Sequence, residues 1–357
     1  MRRSSGVLHG LREQLPWPEG RPFRILSIDG GGIRGILPAA ILTELEVRYA
    51  NGRSAGDYFD LIAGTSTGGI IALALSLGMP ARTILDIYTE LGPRVFPRPK
   101  GLRKVWHGLR SYWYYAYDPA PLKEGLTRVL GPATVGDAQR RLCVPSFDGF
   151  TEVFVFKTPH HPDYKLDWRE SMVTVAMATA AAPTYFPIYR DRAPVASSAK
   201  VSALGRAPRR FGDGGIWANN PVMIALVDAL VCHRMDRRQV HILSLGTGDT
   251  EMHITEQQAT LGGLWHWRKI IESAMHLQSQ NAIGQAGLLI GRDQLVRLNG
   301  PPMPDAPIML DDRDRASAEL PPIAERLVDE FGTTIRNRFL FDSTDAYTAF
   351  YGPRAQA

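Results

Sequence analysis

A short apolar stretch, Phe23 to Ile28, breaks abruptly into Gly30-Gly31-Gly32. That is the pattern of a buried strand ending in a turn. Apolar positions then recur at Leu37, Ile41 and Leu45, which is a helical period. Pro38 suits the first turn of that helix, and Gly52 lies past its end. "FDLIAGTS", from Phe59, repeats the buried-strand pattern. "TGGIIALALSL", from Thr67 to Leu77, reads as a buried helix stopped at Gly78 and Pro80. Strand, helix, strand, helix predicts an α/β fold with a mostly parallel sheet and helices on both faces.

The pattern changes between Arg94 and Pro121, where Arg, Lys, Trp and Tyr crowd together without a clear period. This segment reads as an inserted cap or lid. Strand character resumes in "TEVFVFKTP" (151–159), and Ser171 caps a small-residue helix that stops at Pro183. "RRFGDGG" ends a strand at a Gly turn. "PVMIALVDALV" starts a helix at Pro221, and "QVHILSLGTG" is a further buried strand and turn. No clean linker divides the chain. The expected layout is a basic extension over 1–22, one domain over 23–340 with its cap at 94–121 and a mainly helical part at 250–340, and a tail at 341–357.

Composition narrows this picture only a little. With 357 residues and 44% hydrophobic content, one large α/β domain with insertions is well supplied with core. Two cysteines, Cys143 and Cys232, make no disulfide framework, so a reducing cytoplasm is the expectation. The basic start lacks the apolar core of a secretory signal. The apolar windows 61–77 and 172–188 are broken by Gly or Pro and too short to span a bilayer, so a soluble protein is expected. The formal charge of +5 fits an anionic partner of several kinds and chooses none.

Candidate chemistry collects at strand ends, where open parallel sheets bind ligands. Gly64-Thr65-Ser66-Thr67-Gly68 matches the nucleophile elbow G-x-S-x-G in a strand–turn–helix setting. A tight turn alone would explain Gly64 and Gly68; a nucleophile would explain Ser66 between them. Gly30, Gly31 and Gly32 open a helix and aim main-chain N–H groups at one point, which suits a pyrophosphate or an oxyanion. A dinucleotide site wants an acidic residue closing the second strand, and that strand ends in Gly64-Thr65-Ser66, so an oxyanion hole is preferred. A serine nucleophile needs a base. His241 begins its strand and so sits at the wrong edge; His107, His160, His161 and His233 lie in apparent loops, a helix end or the cap. Asp213, at the end of "RRFGD", is the candidate base, against the plainer role of capping its own turn.

"DGGGIRG", "GTSTGG" and "DGG", in that order, with "ATAAAPTYFP" (178–187) and "NNP" (219–221), resemble the patatin-like phospholipases over roughly Phe23 to Gly248. The resemblance implies a three-layer patatin-like fold and a lipid acyl hydrolase with a Ser–Asp dyad and no catalytic histidine. It makes Ser66 the nucleophile, Asp213 the base and Gly30, Gly31 and Gly32 the oxyanion loop. The layout is also similar to bacterial members switched on by cyclic nucleotides in anti-phage defence.

Arg34 is a candidate for a lipid phosphate, for steadying the glycine loop, or for an ordinary surface position. In the cap, Arg103 and Lys104 interleave with Trp106 and Trp113, a mix that suits a membrane interface, a packed lid or a basic aromatic nucleotide pocket. No metal-ligand spacing occurs, so neither metal nor redox cofactor is expected. The expected partners are membrane phospholipid at the inner face of the membrane, a cyclic nucleotide activator and further copies of the chain, with no nucleic acid polymer. A hydrolase or transacylase of soluble esters or thioesters is the nearest rival, and a non-hydrolytic nucleotide sensor the more distant one.

Overall fold

A computed structural model describes residues 12–97, 114–149, 152–190, 209–248, 270–301 and 308–355. The strands are β1 (Leu15–Pro16), β2 (Phe23–Ile28), β3 (Leu61–Gly64), β4 (Arg141–Asp148), β5 (Glu152–Lys157), β6 (Tyr189–Arg190), β7 (Arg210–Asp213), β8 (His233–Arg234), β9 (Val240–Leu245) and β10 (Leu295–Leu298). The main helices are α1 (Ile36–Tyr49), α2 (Thr67–Ser76), α3 (Ala81–Val95), α4 (Ala120–Leu130), α5 (Met172–Thr179), α6 (Val222–Cys232), α7 (Ile270–Ile290) and α8 (Arg313–Phe339).

The central sheet runs β10-β9-β2-β3-β4-β7-β6, with β5 on the other side of β4. β10, β9, β2, β3 and β4 are parallel; β5, β6 and β7 join antiparallel. Side chains alternate between the two faces, as a strand requires. Leu26 and Ile28 of β2 enter one core with α1, α2, α3, α4, α5 and α8, while Phe23 and Ile25 enter the other with α6 and α7. The expected three-layer α/β architecture is therefore present.

Among the described residues after 250, α7 and α8 dominate, and β10 adds Leu295–Leu298 to the sheet beside β9. β7 does not rise with the parallel strands. It comes in from beyond their carboxyl edge and ends at Asp213, opposite Ser146 of β4. Because Ala63 of β3 pairs with Cys143, Ser146 lies level with Ser66. Asp213 thus reaches the nucleophile elbow from the opposite direction.

Residues beyond α8 lie against the domain. Arg24 donates to the carbonyls of Phe339 (2.7 Å) and Asp342 (2.6 Å), and Thr344 N–H donates to Asp57 O at 2.8 Å. Arg103, Lys104, Trp106 and Trp113 lie outside the described residues. No described helix is long and apolar enough to cross a membrane.

Candidate active site

The elbow is forced by close packing. A Cβ on Gly64 would sit 2.0 Å from the carbonyl oxygen of Gly68, and one on Gly68 would sit 2.3 Å from that of Ile28. Only glycine at both positions lets β3 turn directly into α2. Ser66 at the apex holds φ at 54°, a left-handed conformation for a residue with a side chain. Such a residue costs about 1–3 kcal/mol and persists only where its surroundings hold it.

Asp213 stands across from it, only 4% exposed. Its Oδ1 accepts the N–H of Gly215 at 2.6 Å, and the Ser66 hydroxyl faces the same carboxylate. Burial pushes Asp213 up to about 6, against the pull of these two groups. Both side chains line an apolar cavity of about 420 Å³. Ile87, Leu91, Val95 and Phe96 of α3 and its C-terminus, with Leu126 of α4, form much of its wall. Among the described residues, its lining contains no histidine. His241 pairs in register with Arg24 at the amino edge, and His160 is bonded to Asp228, well away from Ser66.

The glycine loop needs a correction. Gly31 and Gly32 line the cavity beside Ser66, but Gly30 does not. The Gly30 N–H donates to Asn219 O at 3.0 Å and so is committed elsewhere. Gly30 serves by close approach instead: a Cβ there would lie 3.3 Å from Ser66 Cβ and 2.7 Å from Asn219 Oδ1. Gly32 has φ of 57° and opens a one-turn helix, whose leading N–H groups have no acceptor within the helix. Thr67, the first residue of α2, presents a third such group beside Ser66. It is the residue after the nucleophile, where an elbow supplies an oxyanion donor. The Ser66 N–H is taken by Thr179 Oγ1 at 2.9 Å.

Arg34 lies behind the loop rather than in the cavity. Its Nε donates to Gly31 O at 3.4 Å, and it faces a small polar space shared with Asp29 and Arg297. Asp29 is bound at both oxygens by Arg297, at 2.9 and 2.7 Å. These groups stiffen the loop from outside the cavity.

The family model for the patatin-like phospholipases matches residues 26–226. The chain belongs to that family. A cGAMP-activated phospholipase of Pseudomonas aeruginosa is 38% identical over 229 residues, 63% of this chain and 62% of that one. A cGAMP-activated phospholipase of Vibrio cholerae is 34% identical over 273 residues, 71% of this chain and 73% of its own. This patatin-like chain thus matches about three-fifths of the length of the Pseudomonas relative. Among solved structures, human GIVD cytosolic phospholipase A2 aligns over 89% of this chain and 60% of its own, at 9% identity and a TM-score of 0.44, too distant to carry weight.

Proposed function

We propose that this patatin-like chain is a serine acyl hydrolase that cleaves acyl esters of membrane phospholipids and releases free fatty acid. The observation that carries this reading is Ser66, at the apex of the elbow, and the buried Asp213 carboxylate brought together on the wall of one apolar cavity. Ser66 Oγ attacks the acyl carbonyl as Asp213 takes its proton. The N–H groups of Gly31, Gly32 and Thr67 hold the oxyanion, where each donor is worth about 3–4 kcal/mol. The proton passes to the departing lysophospholipid oxygen. Water then cleaves the acyl-enzyme, again with Asp213 as base. A carboxylate near its ordinary value of ~4 is a weak base at neutral pH. The rise to about 6 brings Asp213 closer to the working pH.

The apolar walls on α3 and α4 suit an acyl chain, with burial contributing about 0.8 kcal/mol per methylene. The names of the bacterial relatives support cGAMP as activator. Action on membrane phospholipid would bring the active enzyme to the inner face of the membrane. Self-association of copies of this chain belongs to the same active form. The test is fatty acid release from mixed anionic phospholipid vesicles, by wild type and Ser66→Ala, with and without cGAMP. Release that needs cGAMP and disappears in Ser66→Ala is expected. Undiminished release by a folded Ser66→Ala protein would remove the nucleophile. Hydrolysis of dissolved short-chain esters but not of vesicles would move the substrate to soluble esters.

A further inference from the structure

Thr179 ends α5 and is fully buried. Buried threonines in helices commonly turn the hydroxyl back on their own helix. Thr43 does so here, donating to Ala39 O at 2.8 Å. Thr179 instead spends both capacities outside its helix. Its Oγ1 accepts the Ser66 N–H at 2.9 Å and donates to Pro145 O at 2.6 Å.

Each end of that bridge leads to one half of the Ser–Asp pair. Ser66 is the strained apex of the elbow, with φ of 54°. Pro145 precedes Ser146, the register partner of Asp213. Gly214 presses against the same carbonyl, since a Cβ there would lie 2.4 Å from Pro145 O. Two residues beyond Thr179, Ala181 O accepts the Asp213 N–H at 3.0 Å. The methyl group of Thr179 faces Gly69 of α2, where an added Cβ would meet it at 2.8 Å. The end of α5 and the residues just past it therefore touch the elbow, the strand beside Asp213 and Asp213 itself.

We infer that Thr179 is a positioning residue that fixes the Ser66 hydroxyl against Asp213, an inference that rests on reading Ser66 as the nucleophile. Without the Thr179 hydroxyl, the Ser66 N–H and Pro145 O lose their shared partner. The left-handed conformation of Ser66 loses its restraint, and the hydroxyl moves off the carboxylate. Displacement by an ångström at a reacting group costs about a hundredfold in rate.

The test compares Thr179→Val, which keeps the shape and removes the hydrogen bonds, with Thr179→Ser, which keeps the hydroxyl. The readouts are the rate at which a fluorophosphonate labels Ser66, kcat and KM on a soluble acyl ester, and the pH profile. In Thr179→Val the labelling rate and kcat should fall about a hundredfold with KM unchanged. The acid limb should also move to higher pH, because Asp213 loses the Ser66 hydroxyl that draws it down. Thr179→Ser should recover most of the labelling rate and return the limb to its wild-type place. A purely structural role would lower thermal stability without moving the limb.

Wild-type labelling by folded Thr179→Val, or equal losses in Val and Ser, would overturn the inference. If Thr179→Val does not fold, Thr179→Cys takes its place, with the bulk of Ser but only a weak donor and acceptor. It should label more slowly than Ser, and equal rates would overturn the inference. Ser66→Ala separates the two claims. Wild type that is not labelled at Ser66 defeats the nucleophile reading and this inference with it. Wild type labelled at Ser66, with Thr179→Val labelled equally fast, defeats this inference alone.

Discussion

Asp213 and Asp228 are both buried, and they are held in opposite ways. Asp213 is met by one main-chain N–H and one hydroxyl, and no cation acts on it among the described residues. Burial therefore prevails and lifts it to about 6. Burial would lift Asp228 too, but Lys157 and His160 outweigh it and hold Asp228 well below the carboxylate range. Lys157 Nζ lies 2.5 Å and Tyr164 OH 2.6 Å from its Oδ1, and His160 Nε2 lies 2.7 Å from its Oδ2. The two sites flank one strand. Ser146 of β4 pairs with Asp213, and Cys143 pairs with Lys157, the partner of Asp228. They are about 10 Å apart along that strand. Equal burial of the same side chain thus leaves a carboxylate raised to about 6 in one place and a fixed charge in the other. The difference is whether a cation was buried with it.

His160, Asp228 and Cys232 do present three ligand atoms within 4.8 Å of one another. The Lys157 ammonium already occupies Asp228, and Thr158 Oγ1 lies 2.7 Å from His160 Nδ1. The cluster is closed by its own hydrogen bonds and reads as an internal ion pair.

The contrast breaks most sharply at Asp213→Asn. Loss of the base should lower turnover about a hundred- to ten-thousandfold. The same change should raise stability at neutral pH. A carboxylate whose folded value lies above its unfolded one gives stability that is present below about 4 and lost as pH rises through about 6. Removing that charge should recover about 3 kcal/mol at pH 8 and little at pH 4. Denaturant titrations at the two pH values, beside turnover, check both halves. A folded Asp213→Asn protein with near-normal turnover would end the dyad reading.

Asp228→Asn should do the reverse. It strands the Lys157 ammonium without its countercharge, and breaking a buried pair costs about 3–5 kcal/mol. Here the folded value is depressed, so the stability Asp228 contributes is present above about 4 and lost as pH falls through its low folded value. Thermal melts at pH 7 should show the loss, and the remaining folded protein should label at Ser66 at the wild-type rate. Unchanged stability would mean that Lys157 reaches solvent and that the pair is not what holds this region.

Much of the catalytic half of this comparison is written locally, and little of the other half is. Gly64, Ser66 and Gly68 occupy one turn, so their spacing declares the elbow before any folding partner is known. Asp213 is legible for the same reason, as a carboxylate at a strand end followed by glycines. Its arrival on an antiparallel strand is not, because direction is set by pairing with β4. β4 itself escapes the pattern: it opens on an arginine, carries Pro145 and ends in Asp148, and only its buried middle is apolar. α3 was within reach, since Ile84, Leu91 and Val95 are its buried apolar positions at helical spacing. The Gly30 N–H could not be assigned from sequence, because its acceptor is Asn219, brought near only by the fold. Thr179 and Asp228 depend on long-range partners in the same way.

The smallest effect gives the finest test. If Asp213 must be ionised to accept the Ser66 proton, kcat on a soluble ester should rise with pH and level off above about 6. At pH 5 it should stand at roughly a tenth of its plateau. Asp29 is the other buried carboxylate close to the loop, and burial pushes it up despite Arg297 at both its oxygens; it lies outside the cavity that Ser66 and Asp213 line, so it should add no second limb. Asp228→Asn should leave the limb in place even as it lowers stability, because Asp228 does not act on Asp213. A limb near 4 would describe a solvated carboxylate and so an open site. A limb that moves with Asp228→Asn would mean that the two aspartates share a field, and that β4 does not insulate the base from the ion pair beside it.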